Sequence, residues 1–310
     1  MSKSGSAKKP EFSGVAIIDK PIGPTSHDMV ARVRRRLGQR SVGHAGTLDP
    51  FASGVLVVAM GQGTKLVPYL TAAEKTYSAT LMLGATTATF DPTEPISLRA
   101  PLPADLAAEL ADGGGSVRLS AAMDIERGRT QQTPPMHSAI HVDGVRAYSL
   151  ARQGVQVDLP PREVAVRELS VESCTLHTDR ETASLTLRLT VTKGYYVRAL
   201  ARDLAQSLGT VGHLTALRRT AAAPFTIAEA SSIEELRVHT LADVARRILP
   251  AVRLTERGVI DGRIGRTLDE ADYGPQVDGP TAWFSPDGEL IAIGEGGRVL
   301  RGFTSSSQES

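Results

Sequence analysis

A polar, small-residue segment, Met1–Glu11, reads as a mobile basic tail and gives way to the first apolar run, Gly14–Ile18, a predicted strand. The turn cluster Lys20-Pro21-Ile22-Gly23-Pro24 follows, and Thr25 or Ser26 caps a predicted helix over His27–Leu37, with Asp28 in its first turn and Gly38 just past its end. Gly54–Met60 is a continuous apolar run bounded by glycine, the pattern of a buried strand. Tyr77, Ala79, Leu81 and Leu83 alternate with Ser78, Thr80 and Met82, which predicts a second strand with one inward face. Ala104–Ala111 reads as a helix stopped by the surface loop Gly113-Gly114-Gly115.

Residues 124–162 differ in texture: polar, Arg-bearing and punctuated by Pro134, Pro135, Pro160 and Pro161. They read as a mobile excursion with a strand near Met136–Val142 and a short helix near Val145–Gln153. Strands are expected at Val164–Cys174 and Ser184–Val191. A helix is expected over Tyr196–Leu208, with Val197, Leu200, Ala201, Leu204 and Leu208 at helical spacing and Gly209 as its stop. A linking helix near Ile233–Ile248 leads to Pro250, and the final 60 residues read as short strands with Gly turns, notably Trp283-Phe284 and Leu290–Ile293 after Asp287-Gly288. Helices and strands mix without a βαβ rhythm, so the fold class is α+β.

Composition narrows the setting. With 310 residues, 41% of them hydrophobic, the chain is long enough for one large domain or a domain plus a small appendage. Cys174 is the only cysteine, which excludes an intramolecular disulfide or a Cys-rich zinc site and suits a reducing compartment. With no apolar run of about 18 residues and no apolar leader, a soluble cytoplasmic protein is expected. The net charge of +1 is unevenly spread: residues 226–310 carry a net −5 and residues 1–225 a net +6. Arg32, Arg34, Arg35, Arg36, Arg40, Lys65 and Lys75 face only three acids between residues 27 and 80. Such clustering suits either a polyanion footprint or a solvated helix face, and charge alone does not choose.

The densest chemistry lies in Gly43-His44-Ala45-Gly46-Thr47-Leu48-Asp49-Pro50. Proline holds Asp49 in an extended or turn conformation and the glycines let backbone approach a ligand. Asp49 is therefore a candidate nucleophile or general base, against the plainer account of a turn aspartate bonded to its own backbone. Gly61-Gln62-Gly63-Thr64-Lys65 lacks the order of a phosphate loop and reads as a Gly turn before a helix. His137 and His141 lack the intervening Glu of a zinc helix, so no metal is expected. Arg198 and Arg202, one helical turn apart and opposite the Leu200/Leu204 stripe, suit surface ion pairs; Arg198 also suits a planar fork for a buried carboxylate.

Taken in order, Asp19-Lys20-Pro21-x-Gly-x-Thr-Ser, GHAGTLDP, Lys75-x-Tyr77, Lys-Gly-x-Tyr-x-Arg-x-Leu and Leu-Arg-Arg-Thr resemble the bacterial tRNA pseudouridine synthases that modify uridine 55 of the T arm, the TruB family. The resemblance spans about Gly14 to Phe225, and Gln131–Gly154 is similar to that family's RNA-gripping thumb loop. It implies a mixed, mainly antiparallel central sheet with flanking helices over residues 13–249, after a tail of residues 1–12. A small β-rich PUA-like domain over residues 250–310 completes the implied plan. Asp49 would be the catalytic aspartate and Arg198 its ion-pair partner, the cation that keeps a buried carboxylate charged. Tyr77 would pack on the target base, Tyr196 and Leu217 would line the uracil pocket, and His44 would enter the T loop in place of extruded nucleotides. Lys20, Arg152 and Arg202 are further expected substrate contacts. Ala88 stands where an Asp is common, His137 and His141 where a Tyr and a Lys are usual, and Tyr195 where a Thr is usual. No second acid in a comparable motif is recognised. The implied protein is a monomeric, cofactor-free isomerase of tRNA with no membrane and no obligate protein partner; the alternative is a tRNA-binding folding factor with catalysis secondary. Whether Asp49 attacks the ring, attacks the ribose or removes a ribose proton is left open by the motifs.

Overall fold

The computed structural model describes residues 12–111, 116–137, 159–274 and 277–304, and residues 141–142 and 145–146 as backbone. The tail Met1–Glu11 and the triglycine loop lie outside the described residues. Strand β1 (Gly14–Lys20) leads through a turn to α1 (Ser26–Leu37), where the Thr25 hydroxyl accepts from the Asp28 amide and the Asp28 carboxylate accepts from the Thr25 amide. That reciprocal cap, worth about 1 kcal/mol, and left-handed Gly38 set the ends of the helix. β2 (Val42–His44) and β3 (Ser53–Met60) form a hairpin around the Asp49 loop. The Gly61–Lys65 stretch is itself a 3₁₀ turn, Gly61–Leu66, running directly into α2 (Val67–Ala72). β4 (Lys75–Leu83) buries Lys75, Tyr77, Ala79, Leu81 and Leu83 on one face, as its alternation predicts. A hairpin of β5 (Ala85–Thr87) and β6 (Ile96–Arg99) and the helix α3 (Ala104–Ala111) follow.

Next comes α4 (Val117–Arg127), capped by Ser116, where sequence reading placed no helix; its low amphipathicity hid it. β7 (Gln131–Gln132) pairs with β10 (Arg162–Glu163) at the root of the excursion, and β8 (His141–Val142) pairs with β9 (Val145–Arg146) further out. Val145–Arg146 is therefore strand rather than the start of a helix; the rest of that expected helix, and Arg152, lie outside the described residues. β11 (Val166–Leu176) and β12 (Ala183–Val191) form the next hairpin, and α5 (Val197–Ser207) buries Val197, Leu200, Ala201 and Leu204. β13 (Gly212–Ala222) then runs up the middle of the sheet; its Arg and Thr residues masked its strand character in the sequence. After β14 (Phe225–Thr226), the expected linking helix is reduced to α6 (Leu241–Ile248), because β15 (Val238–His239) pairs with β1 and Thr240 caps the helix late.

The last segment holds β16 (Ala251–Arg253), β17 (Thr281–Phe284), β18 (Leu290–Glu295) and β19 (Arg298–Gly302) in one four-stranded sheet. It also contains two short helices, α7 (Glu256–Arg263) and α8 (Glu270–Tyr273), which the reading as strands and turns had missed.

The main sheet runs β11-β12-β4-β13-β3-β1-β15, with β14 on β13 and β2 on β3. All its pairings are antiparallel except β13 with β3, joined through Arg218 opposite Ser53 and Arg219 opposite Gly54. The fold is thus the expected mixed, mainly antiparallel α+β sheet with helices against it, and this parallel seam divides it into two halves. Gly54 makes the seam possible: its φ is +102°, and a Cβ there would lie 2.2 Å from the Arg219 carbonyl oxygen. One core joins β4, β12 and β13 to α3, α4 and α5. A second packs α1 on β1 and β3. On the opposite face of β1 and β3, Val15, Ile17, Val55 and Val57 share a core with Ala282, Phe284, Leu290 and Ile293, so the C-terminal sheet is docked through apolar side chains.

Candidate active site

The seam between the half-sheets carries the loop Ala45–Ala52, and buried hydrogen bonds brace it from three directions. Ser26 Oγ accepts from the Leu48 amide at 2.8 Å and donates to the Leu48 carbonyl at 3.1 Å. Arg219, fully buried on β13, donates to the carbonyls of Val55 (2.7 Å), Gly46 (3.0 Å) and Thr47 (3.4 Å). Lys20, also fully buried, donates to Pro21 (2.9 Å), Pro24 (2.8 Å) and Pro50 (3.4 Å) carbonyls. A turn tucked between sheet halves leaves its carbonyls away from water, and these cations satisfy them. Arg218 and Arg219 show the strand alternation directly: Arg219 enters the seam, while its neighbour turns outward to Asp19 at 2.8 Å.

The braced loop presents Asp49 to Arg198. Arg198 Nε lies 3.0 Å from Asp49 Oδ2 and Nη2 3.3 Å from Oδ1, a fork-to-fork pair. The Arg198 side chain is 7% exposed and that of Asp49 33%, so the arginine is the buried anchor and the carboxylate faces the cavity. Arg198 also donates to the Thr89 carbonyl (3.2 Å) and the His137 carbonyl (2.8 Å). It therefore enters the pocket instead of lining a solvent face opposite Leu200 and Leu204. Its Nη1 lies 3.4 Å from Asp91 Oδ2, so a second carboxylate shares the guanidinium, from a stretch in which no comparable motif was recognised. Asp91 is itself fixed by the Thr89 hydroxyl (2.7 Å), the Thr93 amide (3.0 Å) and the Thr93 hydroxyl.

These charges act on Asp49 in opposite senses. Burial pushes its carboxyl above the usual carboxylate value, Arg198 pulls it down, and Asp91 pushes it up again; the net direction is up. Arg198 thus works for the charged form of Asp49 against both burial and Asp91.

Asp49 and Arg198 open onto a cavity of about 410 Å³ whose wall includes Tyr77, Tyr196 and Leu217. Five of the expected site residues therefore converge. Tyr196 is held by Gln132, whose side-chain amide accepts from the Tyr196 amide (2.8 Å) and donates to its carbonyl (3.2 Å). The remaining residues stand apart. Lys20 lies beneath the loop with burial pressing its ammonium down to about 8, partly opposed by Asp49. Arg202 pairs with Asp203 (2.7 Å) and donates to the Thr133 carbonyl (2.9 Å), beside the cavity rather than in its wall. His44 ends β2, its ring edge-on to His27 at 5.2 Å, and its buried Nδ1 has no hydrogen-bond partner among the described residues. Burial first, then His27 and Arg219, push the His44 imidazole down to about 4, which keeps it neutral at pH 7.

Asp91 and Gln132 are site residues that the sequence reading did not single out, whereas Lys75 and Arg219 stood in its motifs without an assigned role. Asp91 had a signal: Asp91-Pro92 repeats the Asp-Pro step of Asp49-Pro50, and it is found at no third place in the chain. The preceding Phe90 has φ +57°, a left-handed conformation uncommon for a bulky residue and typical of functional turns. Among the described residues no cluster of His, Cys, Asp and Glu could hold a metal ion, and no helix is long and apolar enough to cross a membrane.

Comparison with known proteins points the same way. Residues 34–197 match the family model described as TruB family pseudouridylate synthase (N terminal domain), and residues 198–253 match the tRNA pseudouridylate synthase B C-terminal domain. A tRNA pseudouridine synthase B of Thermobifida fusca is 43% identical over 289 residues, covering 91% of this chain and 94% of that protein. One from a Synechococcus species is 47% identical over 299 residues, covering 93% and 91%. Among solved structures, a Cbf5-Nop10-Gar1 complex superposes with a TM-score of 0.66 at 24% identity, covering 96% of this chain and 80% of that one, a likeness of fold.

Proposed function

The chain belongs to the TruB family and isomerises uridine in tRNA to pseudouridine; from that premise we propose that it acts on uridine 55 of the T arm, everted from its loop, with Asp49 as the one reacting carboxylate. The observation that carries this reading is the fork-to-fork Asp49–Arg198 pair at the mouth of the cavity. Pseudouridine formation breaks an N-glycosidic bond and remakes it through carbon, so atoms and electrons balance within the nucleotide. The enzyme's task is to place one ionised carboxylate against the reacting nucleoside. Arg198 favours that ionised state against burial, and its own anchoring to Asp91 and two carbonyls holds the pair in register.

Eversion costs a few kcal/mol. Stacking on Tyr77 returns about 1–3 kcal/mol, and the neutral ring of His44, with an unfilled hydrogen-bond position, suits the space the base vacates. Of the five arginines in and just after α1, Arg34 donates to the Val42 carbonyl and Arg36 to the Glu234 carbonyl. Exposed Arg32, Arg35 and Arg40 are the phosphate contacts of this reading. Replacing Asp49 with Asn tests it. The variant should bind an unmodified T-arm hairpin within a few-fold of wild type and form no pseudouridine. Undiminished product would overturn the assignment of Asp49, and failure of the wild type to convert the hairpin would overturn the T-arm substrate.

A further inference from the structure

A buried cation needs an anion or a full shell of acceptors. Arg198 has both, but on the other side of Gly46 the pattern changes. The Lys75 ammonium, on a residue 8% exposed, donates to the carbonyls of Thr71 (3.0 Å) and Ala73 (2.6 Å) at the end of α2. Arg219 donates to carbonyls alone. Neither joins any ion pair among the described residues. The charged groups acting on Lys75 are Arg219 and Lys193, both positive, and together with burial they press its ammonium down to about 8. An ammonium has three donors, of which Lys75 uses two.

Lys75 and Arg219 both line the cavity that holds Asp49. Gly46 stands between them with φ +99°; a Cβ there would lie 3.2 Å from Lys75 Cε and 3.6 Å from Arg219 Nη1. The absent side chain leaves room beside Lys75 on the cavity side, while Arg219, fully buried against loop carbonyls, adds its positive field from behind. Uracil is neutral, so the anion that a nucleotide brings to this wall is its backbone. Lys75 and Tyr77 lie on the same face of β4, about 7 Å apart along the strand, a span comparable with that from a pyrimidine ring to its own phosphate.

We propose that Lys75, reached past Gly46 and backed by the field of buried Arg219, receives a phosphodiester flanking the target uridine and so fixes its sugar relative to Asp49. The placement presupposes an everted uridine in an RNA hairpin. An everted nucleotide swings about its own phosphates, so holding one of them pins the glycosidic bond. Lys75 is thus a substrate-positioning residue on the wall opposite Arg198.

The test uses T-arm hairpins with a neutral methylphosphonate at the linkage 5′ or 3′ to the target uridine, bound by wild type and by Lys75→Met across a salt series. One neutral linkage should weaken wild-type binding about tenfold and reduce the salt slope by about 0.7. Lys75→Met should weaken the native hairpin by a similar factor, show no further loss with the neutral linkage, and be largely rescued by Lys75→Arg. Additive losses would overturn the proposal. So would a Lys75→Met protein that binds normally but reacts slowly, the mark of a contact to the uracil ring. Because Lys75 also caps α2, the wild-type measurement stands alone: if neither neutral linkage weakens binding, the receptor is absent. Conversion of the unmodified hairpin by wild type reports separately on the substrate.

Discussion

The two walls of the cavity carry positive charge in different ways. On the α5 side, Arg198 is matched by Asp49 and Asp91, so the charge is balanced within the protein. On the β4–β13 side, Lys75 and Arg219 are held by carbonyls, and among the described residues no carboxylate offsets their charge. The balanced wall tunes a carboxylate before substrate arrives; the unbalanced wall waits for substrate to bring its charge. Chemistry and grip thereby fall to different residues of one cavity, and substitutions on the two walls should affect different observables.

The largest effect belongs to the balanced wall. Arg198→Met should lower the single-turnover rate by about 10²–10³-fold while T-arm affinity changes only a few-fold; a comparable loss of affinity would erase the distinction between the walls. His44→Ala, outside both walls, should lower kcat/KM by about 10–100-fold, the equivalent of about 1–3 kcal/mol of stacking. Because the His44 imidazole is pushed down to about 4, it is neutral throughout the range above pH 6, and the ratio of wild-type to variant rates should be flat there. A ratio that climbs as pH falls towards 6 would show that a charged ring does the work. Gly46→Ala fills the room beside Lys75 and forces alanine to φ +99°. It should cost about 1–2 kcal/mol in a denaturant melt and weaken binding more than turnover. The smallest effects are expected at exposed Arg35 and Arg40, where each Ala substitution should reduce the salt slope of binding by about 0.7–0.9 and leave the rate of bound substrate unchanged.

Legibility in the sequence follows how local each signal is. Asp49 and Arg198 sit in dense strings whose spacing survives any packing, and Tyr77 lies on a strand with clean alternation. Asp91 is obscured because Ala88, three residues earlier, occupies the place where the resemblance implies an Asp, while its contact with Arg198 spans more than a hundred residues. β13 was missed because a central strand bearing Arg218 and Arg219 does not look apolar, although the seam needs Arg219 to satisfy loop carbonyls. Lys20 shows the converse: its motif is legible, but three prolyl carbonyls draw its ammonium inward, away from the cavity. In the C-terminal segment the strands announced themselves by Trp283-Phe284 and Leu290–Ile293, whereas α7 carries two glycines, Gly258 and Gly262, that disguise a helix.

The electrostatic core of the account is that Asp49 works as an anion, raised by burial and Asp91 and drawn back by Arg198. A carboxyl whose value is raised in the folded enzyme is ionised, and active, only above that raised value, so the rate should climb with pH through it. Removing the cation should raise it further. The decisive measurement is the single-turnover rate of T-arm hairpin conversion against pH for wild type and Arg198→Met. The expected result is an acid limb above the usual carboxylate range in wild type that moves to higher pH in the variant; an unmoved limb, with only the plateau lowered, would contradict it.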